Sequence, residues 1–302
     1  MEFKKLTLSD KKIFDGFLQR EEHELCVYAF ENIYIWKGLF DIEWGIIDGC
    51  LCVFFKDKFG SFLYLPPLGN GNVEKASQRA FAIMDKANRN KDVSRIENLE
   101  ESQLGRYKNR GYSCLEKSHD YVCLCEDLAA LKGNKFKSQR ASFNYFIKHY
   151  DFEYFPYSAR YRDECIGLYD NWMGMRSESN ADHIYQAMMQ DNKASLNNAL
   201  WNYAELGFEG ALVRVGKKIK GFTIGYELNK DTFCILYEIT DLSLKGLAQF
   251  IFAKFCRELK SYKYINIMDD SGLENLKKVK FSYHPEMLVP AYIAKKDNGQ
   301  KY

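Results

Sequence analysis

Two pairs of side chains in the second half of the chain are of types that move protons. Glu238 and Asp241 lie in the apolar run TFCILYEITD, and Tyr283 and His284 lie in the basic string LKKVKFSYHP. A carboxylate at a strand end can hold an ammonium group or accept a proton from an attacking nucleophile, and a tyrosine or histidine can act as a general acid. Surface acids at strand ends are common, and a histidine before a proline can simply form a turn. These four are the candidate catalytic residues.

The basic string and the loop TDLSLKGLAQF (240–250) can hold an anion. Glycine permits close backbone approach, and the N-terminus of the helix that follows favours negative charge. The alternative is that Gly246 merely begins the helix. The candidate phosphate-binding residues here are Ser243, Lys245, Gly246, Ala248, Lys278 and Lys280.

The stretch KFKSQRASFNYFIKH (135–149) combines four cationic side chains and four aromatic rings with no acid. A helix over 137–149 places Lys137, Arg140 and Asn144 on one face, at spacings of three or four. Arginine offers a planar fork to a phosphate and lysine a point charge, so this face is a candidate phosphate-binding surface. A solvated surface face is the alternative.

The other face of the same predicted helix carries Phe143, Phe146, Ile147 and Tyr150. Apolar residues at this spacing are more typical of a packing stripe than of a base-stacking surface. We therefore expect this helix to join two halves of the protein through its aromatic side.

The elements that position these residues follow one order, which the chain repeats. In the second half, 208–229 reads as two strands, TFCILYEITD as a third, KGLAQFIFAKFCRELKSY as an amphipathic helix and YINIMDD as a further strand. LENLKKVKF and MLVPAYIAKK add a short helix and a last strand. The first half follows the same plan, and 95–113 resembles 264–283 most closely. The sequence predicts an α/β (α+β) protein with two mixed-sheet domains.

Four stretches of the sequence resemble the C-terminal domain of phosphatidylglycerol lysyltransferases and its soluble stand-alone relatives. They are EDLAALKGNKFKSQRASFNYF (126–146), GFTIGYELNKDTFCILYEITD (221–241), KGLAQFI (245–251) and NIMDDSGLENLKKVKFSYHP (266–285). This resemblance implies two tandem domains of the GNAT acyltransferase fold: an N-terminal domain over 1–130, a connecting basic and aromatic helix over 131–150, and a C-terminal domain with the active groove over 151–302.

The resemblance also implies an activity. Family members with known chemistry transfer an amino acid from the ester of a charged tRNA to a lipid headgroup, and the related Fem-type transferases pass amino acids to peptidoglycan precursors. Lys137, Arg140 and Asn144 match the family pattern Lys/Arg-Arg-x-x-x-Asn. In a transferase of this kind, we expect Arg140, Asn144, Lys278 and Lys280 to hold the phosphates of the donor.

Three departures from the expected patterns leave the substrates open. Many GNAT enzymes cradle coenzyme A with Gln/Arg-x-x-Gly-x-Gly/Ala, and here Ser243 stands where Gln or Arg is expected. The family tends to carry Asn-Arg-Glu where this chain has Asn266-Ile267-Met268, followed by Asp269 and Asp270 at the same groove. Asn266 and Asp269 are further candidate substrate- or phosphate-binding residues. Lipid-modifying members usually carry membrane segments ahead of this domain, and none is visible here.

The bulk composition fits a folded protein without extended basic surfaces. Of 302 residues, 46% are hydrophobic and 28% charged, with a net charge of +2, so attraction to nucleic acid or anionic lipid must come from a local patch. No signal peptide and no apolar run of spanning length is visible, and the nine cysteines read as buried thiols rather than metal ligands. We expect a cytoplasmic protein with no metal.

The sequence therefore favours an acyl or aminoacyl transferase whose donor is aminoacyl-tRNA or acyl-coenzyme A, with no other cofactor indicated. The acceptor is a small molecule or a lipid headgroup with an amine or hydroxyl group. Two alternatives stay open: a coenzyme A-dependent N-acyltransferase, and a non-catalytic GNAT-fold module that binds a tRNA 3′ end or a phosphorylated metabolite.

Overall fold

The computed structural model describes residues 3–178 and 182–296. Within them, the strands are β1 (Lys4–Lys5), β2 (Asp41–Ile47), β3 (Cys50–Lys56), β4 (Ser61–Leu63), β5 (Arg95–Leu99), β6 (Tyr112–Leu124), β7 (Phe152–Pro156), β8 (Glu209–Val215), β9 (Lys218–Asn229), β10 (Thr232–Thr240), β11 (Tyr264–Asn266) and β12 (Met287–Lys296). The helices are α1 (Lys11–Leu18), α2 (Phe30–Tyr34), α3 (Val73–Ala87), α4 (Leu104–Lys108), α5 (Cys125–Ala130), α6 (Lys137–His149), α7 (Arg162–Glu178), α8 (His183–Trp201), α9 (Leu247–Glu258) and α10 (Glu274–Ser282). In these two segments, no helix is long and apolar enough to cross a membrane.

The chain divides into two compact units. Among the described residues, unit 1 comprises 3–120, 269–272 and 288–296, and unit 2 comprises Tyr121–Met268 and Leu273–Met287. These boundaries differ from the sequence-based ones in two respects. The end of β6, α5 and α6 belong to unit 2, and most of β12 belongs to unit 1, where it pairs antiparallel with β5. Residues 297–302, the end of the predicted C-terminal domain, lie outside the described residues.

Unit 1 is an antiparallel meander followed by a crossover. Strands β1 to β4 pair in order as antiparallel neighbours, and β5 pairs parallel with β4. The connection between β4 and β5 contains α3, whose apolar residues Ala76, Ala80, Phe81 and Met84 are buried. This is the order predicted for the first half of the chain.

Unit 2 repeats the same plan. Its strand order is β6-β11-β10-β9-β8-β7, in which β10 and β11 are parallel and the other pairs are antiparallel. Helix α9 makes the crossover between β10 and β11, as the sequence predicts. One hydrophobic core of unit 2 lies between the sheet and α5, α6 and α9, and α7 packs against β9 and β10.

The aromatic face of α6 packs inside unit 2. Phe143 and Phe146 are buried, with their ring centroids 5.5 and 4.9 Å from that of Phe250 on α9. Phe250 in turn belongs to the apolar stripe of α9, which is buried throughout. The stripe predicted on α6 is therefore a packing surface against α9, and Ile147 remains 45% exposed.

Candidate active site at the end of strand β10

The carboxyl end of β10 extends beyond its parallel neighbour. The β10–β11 ladder covers only Thr232 to Cys234, opposite Tyr264 to Asn266, whereas β10 continues to Thr240. A register shift between Ile235 and Tyr237 marks a bulge in β10. In open α/β sheets, ligands bind at the carboxyl ends of strands where the order of the chain reverses, so this end of β10 is where a site is expected.

The bulge in β10 adds one residue between Ile235 and Tyr237, so Tyr237 lies on the face opposite to that of Ile235, which belongs to the core under α9. The Tyr237 hydroxyl bonds to Ser195 and to the carbonyl oxygen of Asn192 (3.2 Å), both on α8. Side chains alternate along a strand, so Glu238 lies on the other face, which α9 covers. A bulge commonly re-aims a side chain at a functional site.

Glu238 lies in an electrostatic cluster with Lys280 and Tyr283. Glu238 is half-buried, and desolvation raises the pKa of its carboxyl to about 8, although the charge of Lys280 acts to lower it. Tyr283 is buried against the ring of Phe252, with 4.4 Å between centroids. Burial, and secondly the charge of Glu238, raise the pKa of Tyr283 well above its usual value. A carboxyl that titrates near neutrality is suited to general acid–base catalysis.

Lys280 is buried rather than exposed to a phosphate. Its ammonium group donates hydrogen bonds to the carbonyl oxygens of Ile267 and Met268, the latter at 3.3 Å, at the end of β11. It also lies 5.9 Å from the centroid of the Tyr121 ring. Lys280 therefore anchors α10 to β11 and holds a positive charge close enough to act on Glu238.

Asp241 is engaged in local structure. Its carboxylate accepts hydrogen bonds from the Lys220 ammonium (2.6 Å), the Ser243 backbone N–H (2.9 Å) and the Ser243 hydroxyl (2.6 Å). Desolvation raises the pKa of Asp241, but these hydrogen bonds outweigh it, and the pKa lies below its usual value. An ionised, saturated carboxylate of this kind stabilises the loop, and both polar groups of Ser243 point to it.

Asp241→Asn is expected to lower the free energy of unfolding at pH 7 by about 1–3 kcal/mol, since it removes charge-assisted hydrogen bonds. A carboxyl with a lowered folded-state pKa stabilises the fold above its unfolded pKa of about 3.9, and this contribution is lost as the pH falls through the folded pKa. Urea unfolding from pH 7 to about pH 3 should therefore show wild type and variant converging. A difference independent of pH would contradict this assignment. Asp163→Asn, at an exposed ion pair with Arg162, is the matched control.

His284 forms a turn. Its backbone is left-handed (φ 53°) rather than extended, and its Nε2 donates a hydrogen bond to the carbonyl oxygen of Lys135 at 2.9 Å. The exposed ring also meets Phe136 edge-on, with 5.1 Å between centroids. These contacts tie the end of α10 to the beginning of α6 and match the turn alternative drawn from the sequence.

Arg140 is likewise bonded to backbone. Its Nη1 donates to the carbonyl oxygens of Leu131 and Gly133, the latter at 3.1 Å, and Leu131 is the left-handed residue that ends α5. Lys137 and Asn144, on the same face of α6, are exposed. Arg140 thus satisfies the carbonyl groups at the end of α5, and Lys137 and Asn144 remain accessible to a ligand.

Arg140→Ala is expected to lower the free energy of unfolding by about 1–3 kcal/mol, because carbonyl oxygens after α5 lose a charged donor. Lys137→Ala, one turn earlier and exposed, should leave it within about 0.5 kcal/mol of wild type. Denaturant unfolding of the two variants measures both effects. Equal stabilities would show that the Arg140 contacts contribute nothing to the fold.

The loop before α9 packs against α6. Gly246 is left-handed (φ 86°), and a Cβ placed on it would meet the backbone carbonyl of Ser142, 2.9 Å from the carbonyl carbon. The ammonium of Lys245 lies 4.7 Å from the centroid of the Tyr145 ring. Gly246 is therefore required for close helix packing, and the half-buried Ala248 follows in the first turn of α9.

The other predicted phosphate-binding residues are dispersed. Asn266 is buried, and its side-chain oxygen accepts a hydrogen bond from the Met268 backbone N–H at 2.7 Å. Asp269 belongs to unit 1, where its charge helps to raise the pKa of Tyr64 after the dominant effect of burial. Lys278 is exposed on α10. Of the predicted set, the structure brings together Glu238, Lys280 and Tyr283.

The comparison with known proteins identifies the family. The sequence profile described as "Phosphatidylglycerol lysyltransferase, C-terminal" matches residues 19–295. The chain belongs to this family. No curated protein matches the sequence.

Solved structures support the fold of this lysyltransferase-family chain. A conserved protein of unknown function from Bacteroides thetaiotaomicron VPI-5482 is 27% identical, with 97% of this chain and 99% of that chain covered and a TM-score of 0.86. L-PGS from Bacillus licheniformis is 16% identical over 96% and 92%, with a TM-score of 0.63. A tandem GNAT protein from the clavulanic acid biosynthesis pathway is 8% identical over 98% of both chains, with a TM-score of 0.53. The predicted tandem GNAT fold is confirmed, and family and fold indicate an acyl or aminoacyl transferase of the GNAT type.

Two residues close to these acids were not predicted from the sequence. Lys220 on β9 neutralises Asp241, and Thr223 on β9 lies directly opposite Glu238 in the β9–β10 register. Both lie on β9. The alternation of apolar and polar residues along a strand shows which side chains share a face, but it does not show which residues of the neighbouring strand they contact. An exact register for the hairpin would have revealed both.

Proposed function

We propose that this protein transfers an aminoacyl group from the ester of an aminoacyl-tRNA to an acceptor with a primary amine or a hydroxyl group. The observation that carries the proposal is Glu238, a half-buried carboxyl of raised pKa at the end of β10, beside Lys280 and Tyr283. Family membership supplies the reaction class. Transfer of this kind needs no covalent enzyme intermediate.

In the proposed reaction, the acceptor nitrogen or oxygen attacks the ester carbonyl and loses its proton to the Glu238 carboxylate. The new amide or ester bond forms as the bond between the carbonyl carbon and the ribose oxygen breaks. The leaving ribose oxygen takes a proton, and Tyr283, neutral at physiological pH, is the candidate donor. The positive charge of Lys280 favours the ionised form of Glu238 that the first step requires. Positioning of the two substrates supplies much of the remaining rate.

Aminoacyl-tRNA is the favoured donor over acyl-coenzyme A for two reasons. Ser243 replaces the expected Gln or Arg and bonds to Asp241 rather than facing outward with a free hydroxyl. Gly246 is packed against the backbone of α6, which occupies the space that the glycine opens. The exposed Lys137, Asn144 and Lys278 are the residues proposed to meet donor phosphates.

The test is to mix purified protein with total tRNA charged with radiolabelled amino acids at low salt. Loss of ester-linked label that depends on an added acceptor supports the proposal, and the acceptor arms are phosphatidylglycerol vesicles, free amines and free polyols. A parallel arm replaces tRNA by acetyl-coenzyme A, and turnover there alone would favour the coenzyme A-dependent alternative. Retention of tRNA without turnover would favour a binding module. Absence of affinity for both donors would contradict both transferase functions and a tRNA-binding module.

A further inference from the structure

Thr223 on β9 carries a buried hydroxyl group without a hydrogen-bond partner. The residue is 0% exposed, and no described residue bonds to its Oγ1. Most buried side-chain hydroxyl groups in proteins are hydrogen-bonded, and an unpaired one costs free energy that a valine of similar shape would avoid. Packing therefore does not account for a threonine at this position.

The residue opposite Thr223 is Glu238. The β9–β10 register pairs the two directly, so their side chains project from the same face with Cβ atoms about 4.5–5.5 Å apart. Thr223 also pairs with Ala211 of β8, which belongs to the buried core under α9. Among the described residues, the Glu238 carboxyl makes no hydrogen bond either. A buried hydroxyl group without a partner thus lies directly across the strand pair from a half-buried carboxyl.

Besides Thr223, charged and titratable groups on α9, α10 and β6 lie around Glu238. The ammonium group of Lys280 on α10 donates hydrogen bonds to the carbonyl oxygens of Ile267 and Met268. Tyr283 after α10 and Cys256 on α9 are buried close enough for charge interaction with Glu238. Cys123 on β6 lies near Lys280 and is also buried. Burial raises the pKa of both thiols, which stay neutral.

We propose that Thr223 is a positioning residue for Glu238: its hydroxyl donates a hydrogen bond to the carboxylate once that group ionises, and so holds the base in one orientation. A rotation of the Glu238 side chain toward the strand brings its oxygen to the Thr223 hydroxyl. When the carboxyl takes the proton of the acceptor, its charge is lost and the hydrogen bond from Thr223 weakens. This inference rests on the proposed function only in assigning Glu238 the role of base.

The test requires no substrate. The δ-carboxyl of Glu238 is followed by ¹³C NMR in glutamate-labelled protein across pH, with Glu238→Gln to assign the signal. A hydrogen bond to the charged form lowers a pKa, so Thr223→Val is expected to raise the pKa of Glu238 by about one to two units. Thr223→Ser keeps the hydroxyl and should shift it by less than about half a unit.

The outcomes separate this inference from the proposed function. An unchanged Glu238 titration in folded Thr223→Val would overturn the positioning role, whether or not the protein transfers amino acids. A raised pKa in a protein without transfer would keep the positioning role and remove the proposed function. If the valine variant does not fold, Thr223→Ala supplies the same comparison with serine, and near-UV circular dichroism confirms the native packing of each variant.

Discussion

Glu238→Gln is expected to lower kcat/KM for aminoacyl transfer by about 10²–10⁴-fold, the usual contribution of a positioned acid or base. Glutamine keeps the size of the side chain and removes its ability to take a proton. Because the base must be ionised, wild-type kcat/KM should rise with pH and level off above the pKa of Glu238, about 8. The variant should lose this rise. Initial rates across pH, with charged tRNA and the acceptor that supports transfer in the assay described above, measure both effects.

Glu227→Gln is the matched control for this substitution. Glu227 also lies on the sheet of unit 2, but its carboxylate accepts a hydrogen bond from the Tyr262 hydroxyl at 2.6 Å on an exposed surface. Its replacement should leave kcat/KM within about twofold of wild type. If Glu238→Gln retains more than about a tenth of the wild-type rate with the same pH dependence, Glu238 is not the base.

Gly246→Ala is expected to destabilise unit 2 by about 4 kcal/mol. Alanine is strained in the left-handed conformation that Gly246 adopts, and its methyl group would collide with the Ser142 carbonyl on α6. Relief requires α6 and α9 to separate, which opens the contacts of Phe146 and Phe250. Denaturant unfolding followed by circular dichroism gives the difference in free energy.

Gly167→Ala is a control for which the opposite change in the free energy of unfolding is expected. Gly167 lies within α7, and a Cβ placed on it meets nothing within 4 Å. Alanine is favoured over glycine in a helix, so this variant should be more stable than wild type by up to about 1 kcal/mol. A Gly246→Ala protein as stable as wild type would show that α6 and α9 do not pack this closely.

The elements of both units were predictable because their signals are local. Leu247, Phe250, Ile251 and Phe255 of α9 recur at helical spacing and are buried. The hairpin of β8 and β9 turns at Gly216, between the two strands predicted over 208–229. The helix predicted over 137–149 is α6. The family motifs, read from the same segments, led to the tandem GNAT fold that the solved structures confirm.

The roles of individual polar residues were less predictable, since they depend on partners far away in the chain. Arg140 and Asp241 have the side-chain types that bind phosphates or protons, but backbone carbonyls and Lys220 already occupy them. His284 bonds to Lys135, 149 residues earlier. Nothing in the local sequence distinguishes a polar side chain that is hydrogen-bonded within the fold from one that is available to a ligand.

The strands and helices over 208–296, the buried faces of α6 and α9 and the family of this protein were all present in the amino-acid sequence, because periodicity and short motifs act over a few residues. Strand β7 and helices α7 and α8 were not predicted. Tertiary structure decided which carboxyl is available for chemistry. The bulge in β10 and the end of the β10–β11 ladder turn Glu238 into the α9 face, where desolvation and Lys280 set its pKa. Burial and cross-strand register arise only when distant segments pack together. They give the Glu238 carboxyl a raised pKa, whereas Asp241, three residues further along the chain, is ionised and bonded to its neighbours.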